Sequence, residues 1–137
     1  MKYLFAAVIL ASSTVSYAAA PAITVYKDPN CGCCEEWVKH VNQAGFPTRV
    51  INSTDVTSVK TRLGVPASFS SCHTAVLETS GQVIEGHVPP SAIYKLIANR
   101  AVKGVAVPGM PTNSPGMGKL NGNLVTADFQ GKPFSQD

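Results

Sequence analysis

PAITVYKDPNCGCCEEWVKHVNQA, residues 21–44, decides how the chain is organised. Ile23 and Val25 alternate with Thr24 and Tyr26 between prolines, the pattern of a short half-buried strand. Three of the four cysteines, Cys31, Cys33 and Cys34, follow at once. From Cys33 to Ala44, Trp37, Val38, Val41 and Ala44 recur at helical spacing, and Glu35 and Glu36 occupy the first turn, where carboxylates suit the positive end of the helix dipole. Gly45 closes the helix. Cys31 therefore lies in the turn after a strand, and Cys33 and Cys34 lie at a helix N-terminus, where unpaired N–H groups and the dipole favour thiolate.

Working outward, FPTRVIN (46–52) reads as a second strand, and a helix follows over Asp55 to Leu63, started by Ser53 or Thr54 and stopped by Gly64 and Pro66. Strand, helix, strand implies a parallel pair joined by a crossover. HTAVLE (73–78) and QVIEGH (82–87), separated by TSG, form a hairpin signal. Pro89 and Pro90 open a helix through Ala98 with Ile93, Leu96 and Ile97 as its apolar face. The order β-α-β-α-β-β-α predicts an α/β, thioredoxin-like fold with a central mixed sheet and flanking helices. Residues 104–122, GVAVPGMPTNSPGMGKLNG, read as a Gly/Pro/Met-rich loop in which Pro-Gly-Met occurs at 108–110 and again at 115–117. The extension after 122 is expected to add one edge strand over NLVTADFQGKPF.

The chain has 137 residues, 45% hydrophobic and 14% charged, which suits one domain with a modest core. Residues 1–18 read as a signal peptide: Lys2 precedes an apolar run from Tyr3 to Ala11, and Ser16 and Ala18 have the small-residue spacing of a cleavage site. The single domain is then 19–137. No stretch approaches the roughly 20 apolar residues of a spanning helix, so the exported protein is expected in the periplasm without a membrane anchor. Loss of Lys2 lowers the formal charge from +3 to +2, without clustering, which makes nucleic acid and acidic membranes poor partners.

Thiols in an oxidising compartment are paired, metal-protected or redox-active. Cys31 and Cys34 have the C-x-x-C spacing of thiol-disulfide oxidoreductases, but Cys33 is surplus to that pair and would supply a further ligand to a metal. Cys33 would point about 100° from Cys34 on an ideal helix, yet Gly32 gives the turn freedom for all three sulfurs to converge. Cys72 and His73, in SSCHT, fall in the loop before the third strand, which in this topology packs against the reactive helix. Both can serve one site only if the backbone is irregular there, and Cys72 ranks first. His87 ends the fourth strand; His40, about two helical turns from Cys33, reads as a solvated helix residue. Met110 and Met117 offer soft thioethers or fill apolar gaps. Sulfur-rich ligands with imidazole lean toward Cu(I), with zinc as the alternative. Two structural disulfides are the third reading, weakened because pairing within CGCC closes tight rings.

At this point VYKDPNCGCCEEWVKH (25–40), LGVPASFSSCHTAV (63–76), VIEGHVP (83–89) and GVAVPGMPTNSPGM (104–117) resemble, in order and spacing, the CopG-type periplasmic copper-resistance proteins, a thioredoxin-like family first known as a domain of unknown function. The resemblance covers about residues 23–118. It implies a cysteine-bridged copper cluster, with Cys31, Cys33, Cys34 and Cys72 as ligands and His73, His87, Met110 and Met117 as companions. It also implies a part in copper handling and resistance, Cu(I)/Cu(II) interconversion included, with copper ions and other periplasmic copper-handling proteins as partners; whether that makes a copper-dependent oxidoreductase is left open, because a ligand set does not reveal turnover. Glu35 departs from the family pattern, where glycine is more usual, and adds negative charge beside the thiols.

Overall fold

Parallel pairing of β1 (Ile23–Lys27) with β2 (Thr48–Asn52) starts a seven-stranded mixed sheet, seen in a computed structural model that describes residues 19–137. The leader expected over 1–18 lies outside the described residues. The crossover between the two strands is α1 (Gly32–Gln43). After α2 (Val56–Arg62) and a single 3-10 turn (Ala67–Phe69) come β3 (His73–Leu77), β4 (Val83–Glu85), α3 (Pro90–Ala98), β5 (Gly104–Ala106), β6 (Val125–Asp128) and β7 (Pro133–Gln136). The strand order is β2-β1-β3-β4-β5-β6-β7. The expected order β-α-β-α-β-β-α is present as its first seven helices and strands.

Register decides which side chains share a face. Antiparallel pairing sets Ile23 opposite Leu77, Val25 opposite Ala75 and Lys27 opposite His73, and Ile84 and Val105 continue that face across β4 and β5. Trp37, Val38 and Val41 of α1 and Ala92, Ile93 and Leu96 of α3 join these strand residues in one buried core. Trp37 is completely buried, and its indole N–H donates to the Val88 carbonyl at 2.8 Å, tying α1 to the segment before α3. α2 lies against β1 and β3 on the opposite face, where Lys60 reaches Glu85 of β4.

Local chemistry sets the element ends. Asp55 rather than Ser53 or Thr54 caps α2, its carboxylate accepting from the Ser58 backbone at 3.0 Å. α3 begins with Pro90 in the first turn, where its missing N–H costs nothing. The loop expected from residue 104 instead opens with β5, which pairs parallel to β4; three residues are too few to display a period, and all three are buried. The C-terminal extension supplies two strands rather than one. Asp128 makes the hairpin, its carboxylate accepting from the backbones of Gln130 and Lys132, both at 2.9 Å. Among the described residues no helix is long and apolar enough to cross a membrane.

The hairpin docks on the sheet through a close approach at Gly104, where any Cβ would collide with the Phe129 ring. Gly104→Ala should therefore cost about 1–3 kcal/mol, read as a lower urea midpoint. Adding Phe129→Ala should recover part of that loss. An unchanged midpoint in the single variant would mean that this contact does not hold the hairpin.

Candidate metal centre

The cysteine turn is built by Asp28. Its side chain accepts from Asn30 N–H at 2.8 Å and its carbonyl from Cys31 N–H at 3.1 Å, closing a turn that delivers the chain into α1 with Cys31 as N-cap. One helical turn then brings Cys31 and Cys34 together, and they form a disulfide with Cα atoms 5.3 Å apart. That separation is ordinary for a disulfide, so the strain expected of pairing within CGCC does not arise at this spacing. Cys34 is buried against the core, and the free Cys33 is half-buried with its Sγ 3.6 Å from Cys31 Sγ.

Cys72 meets this turn from the other side. It sits in a bend one residue before β3, where strand alternation has not begun, so Cys72 Sγ and His73 Nδ1 approach to 3.6 Å although the residues are adjacent. This is the irregular backbone that sharing a site requires. All four cysteine sulfurs lie within 4.8 Å of one another, and so do the ligand atoms of Cys72, His73 and His87. Cys72 Sγ is 3.0 Å from His87 Nε2. On the other side of that ring, Nδ1 is 2.7 Å from the Pro115 carbonyl, which can only accept. His87 therefore carries its proton on Nδ1 and presents the Nε2 lone pair to Cys72, the arrangement that orients metal-binding imidazoles.

The Met-bearing loop reaches the centre through backbone. A Cβ at Gly116 would fall 2.7 Å from the Cys33 carbonyl and 2.8 Å from Trp37 N, so only glycine lets the second Pro-Gly-Met segment lie on the start of α1. At the first segment, the Gly109 carbonyl accepts from the Ser71 hydroxyl at 2.5 Å. The side chains of Met110 and Met117 are exposed. His40 is also exposed, in the last turn of α1.

Beneath the sulfurs lie charges that the sequence reading passed over. Lys27 is fully buried and pairs with Glu35 Oε1 at 2.6 Å. Its inward direction was readable from strand parity, because it continues the spacing of Ile23 and Val25. Burial pushes the Cys72 thiol up to about 11, with the nearby Cys33 adding to the effect. His73 is completely buried, its ring tilted against Trp37 with centroids 4.4 Å apart, and held well below the ordinary histidine range, first by desolvation and then by His87 and two lysines. Burial also lowers His87.

Neutral imidazoles and clustered sulfur are a soft donor set. His73 Nε2 is buried without a hydrogen-bond partner, and Cys72 belongs to both groups of converging ligand atoms. With Cys31 and Cys34 reduced, four thiolates could enclose a soft cation; with them oxidised, Cys33, Cys72 and the two imidazoles remain. The residues thus fit copper in its sulfur-loving state.

Comparison with known proteins gives the same direction. The chain is similar to solved structures of copper resistance protein CopG, Form 1 and Form 2, each at 40% identity and a TM-score of 0.75, over 86% of this chain and 98% of the other. A family model described as a protein of unknown function, DUF411, matches residues 69–117. No curated protein matches the chain.

The buried His73 also sets a pH dependence. Unfolded histidine takes up a proton near 6.5, whereas His73 in the fold resists it, so the unfolded state binds more protons below that pH. Stability should fall as pH drops from 7 to 5, by up to about 2 kcal/mol from this residue. His73→Gln should flatten the difference between urea midpoints at the two pH values; an equal drop in the variant would assign it to other groups.

Proposed function

The chain belongs to the family of copper resistance protein CopG, and on that premise we propose that it is an exported, periplasmic copper-binding protein. It holds Cu(I) in a cysteine-bridged cluster made by Cys31, Cys33, Cys34 and Cys72 and so contributes to copper resistance. His87 and His73 complete the donor set from the β3–β4 side. Met110 and Met117 supply thioethers from the loop that Gly116 seats over α1. The observation that supports this reading most is the approach of four sulfurs from two distant chain segments to within 4.8 Å.

The Cys31–Cys34 pair gives the centre a redox arm. Oxidation of the two thiols to the disulfide releases two protons and two electrons, enough to reduce two Cu(II) to Cu(I), and a thiol reductant resets the pair. Copper is the substrate in that exchange and the remaining donors retain it. The helix N-terminus assists by stabilising thiolate in the turn.

The same disulfide favours a second reading, a thiol-disulfide oxidoreductase acting on other proteins through Cys31 and Cys34. Cu(I) titration of the reduced protein against a chromophoric chelator separates the two. Copper binding predicts more than one Cu(I) per chain, a capacity that falls on oxidation of Cys31–Cys34 and in Cys33→Ser and Cys72→Ser. Equal and negligible copper in the native protein and Cys33→Ser would remove it. Turnover of a disulfide substrate, abolished by Cys31→Ser and indifferent to copper, would favour the second reading.

A further inference from the structure

On the sheet face opposite the main core, Glu85 of β4 is completely buried. Its Oε1 accepts from Lys60 Nζ of α2 at 2.5 Å and from the backbone N–H of Ser71 at 2.6 Å. Ser71 is the residue before Cys72, and its hydroxyl holds the Gly109 carbonyl next to Met110. The backbone around Glu85 is tied to the same neighbourhood: its carbonyl accepts from Val107 N–H, and Gly86 N–H donates to the His73 carbonyl, both at 3.0 Å. Gly86 has φ +71°, and a Cβ there would stand 2.7 Å from the Ser71 side chain. Glu85 and its neighbour Gly86 are thus bonded to the segments that carry Cys72, His73 and the first Pro-Gly-Met.

Stability alone does not account for the pair. Two buried charges lose hydration that their attraction only partly returns, and a well-packed apolar pair of similar volume is often as stable or better. What an apolar residue at 85 cannot supply is an acceptor for Ser71 N–H. A hydrogen bond to a carboxylate is stronger than one to a neutral acceptor, and it fixes the bend at residues 71–72 that lets Cys72 point at the other sulfurs.

We propose that Glu85 is a positioning residue for the thiolate centre. Its carboxylate, charge-balanced by Lys60, holds the Ser71 amide and thereby keeps Cys72 Sγ within reach of Cys33 and of His87 Nε2. The assignment rests on the reading of Cys72 as a member of the centre, and it extends that centre through the sheet to α2, on the face away from the copper donors.

Two double variants separate positioning from packing. Lys60→Met with Glu85→Gln removes both charges and keeps an acceptor for Ser71; Lys60→Met with Glu85→Leu removes both charges and the acceptor. Iodoacetamide labelling of the metal-free protein, mapped to Cys72 by mass spectrometry, should rise no more than about threefold in the glutamine pair, which keeps a neutral acceptor. It should be at least about tenfold faster in the leucine pair, as the loss of one charge-assisted hydrogen bond implies. Cu(I) affinity by chelator competition should fall by a similar factor in the leucine pair only, with circular dichroism spectra alike in both. Equal Cys72 labelling in the two pairs overturns the proposal. Should the leucine pair not fold, hydrogen exchange at the Ser71 amide of the native protein decides: slow exchange supports the assignment and exchange at the rate of an open loop overturns it. A labelling difference without copper binding in any form would retire the copper reading and leave the positioning role standing.

Discussion

The register that sets Lys27 opposite His73 is the constraint from which the rest follows. β1 and β3 run antiparallel, so the residue after Lys27 and the residue before His73 leave the sheet at the same edge. The first leads through the Asp28 turn into the cysteines of α1; the second is Cys72. Sulfurs about forty positions apart in sequence meet because two strands end together. A slip of one residue would turn His73 to the α2 face and carry the inward set of β3 with it. The apolar pairs Ile23–Leu77 and Val25–Ala75 hold the register, since that slip would expose them to the wrong layer.

Polar groups around this edge are carried at a cost that the core offsets. Lys27 and His73 end two strands on the core face, where an aliphatic pair would bury more comfortably, and Glu85 and Lys60 repeat the theme on the reverse face. Each buried charge has a partner at 2.5 or 2.6 Å. His73 has no partner on Nε2 and stays neutral. His73 and Glu85 lie within two residues of Cys72 and His87, Lys27 closes β1 four residues before Cys31, and Lys60 reaches the sheet from α2. The remainder of those strands is Ile, Val, Leu, Ala and Thr, with Tyr26 on the outer face of β1. Chemistry at the strand ends and packing in the strand middles is the division of labour.

Much of this was legible in the residues. Alternation at Ile23 and Val25, helical spacing at Trp37, Val38 and Val41, the FPTRVIN run, the stop at Gly64 and Pro66, the TSG turn and the start at Pro89 and Pro90 marked the first seven helices and strands, and the placement of the cysteines followed. β5 was hidden because Gly-Val-Ala is buried in the middle of the sheet and shows neither alternation nor length. The second strand of the C-terminal hairpin was hidden because its turn depends on the Asp128 side chain rather than on an Asn-Gly or Asp-Gly pair. Disulfide pairing of Cys31 with Cys34 is a matter of distance, which spacing alone does not supply. The tether from Glu85 to Ser71 joins residues fourteen apart across the β3–β4 hairpin, and nothing in the order of residues announces it.

The central claim is that sulfur from both chain segments meets in one copper centre. X-ray absorption at the copper edge of the reduced, Cu(I)-loaded protein tests it most directly, compared with the same measurement on Cys72→Ser. The expected result is a coordination shell dominated by sulfur that loses sulfur scattering in the variant. A shell of nitrogen and oxygen, or one unchanged by removal of the sulfur at position 72, would contradict it.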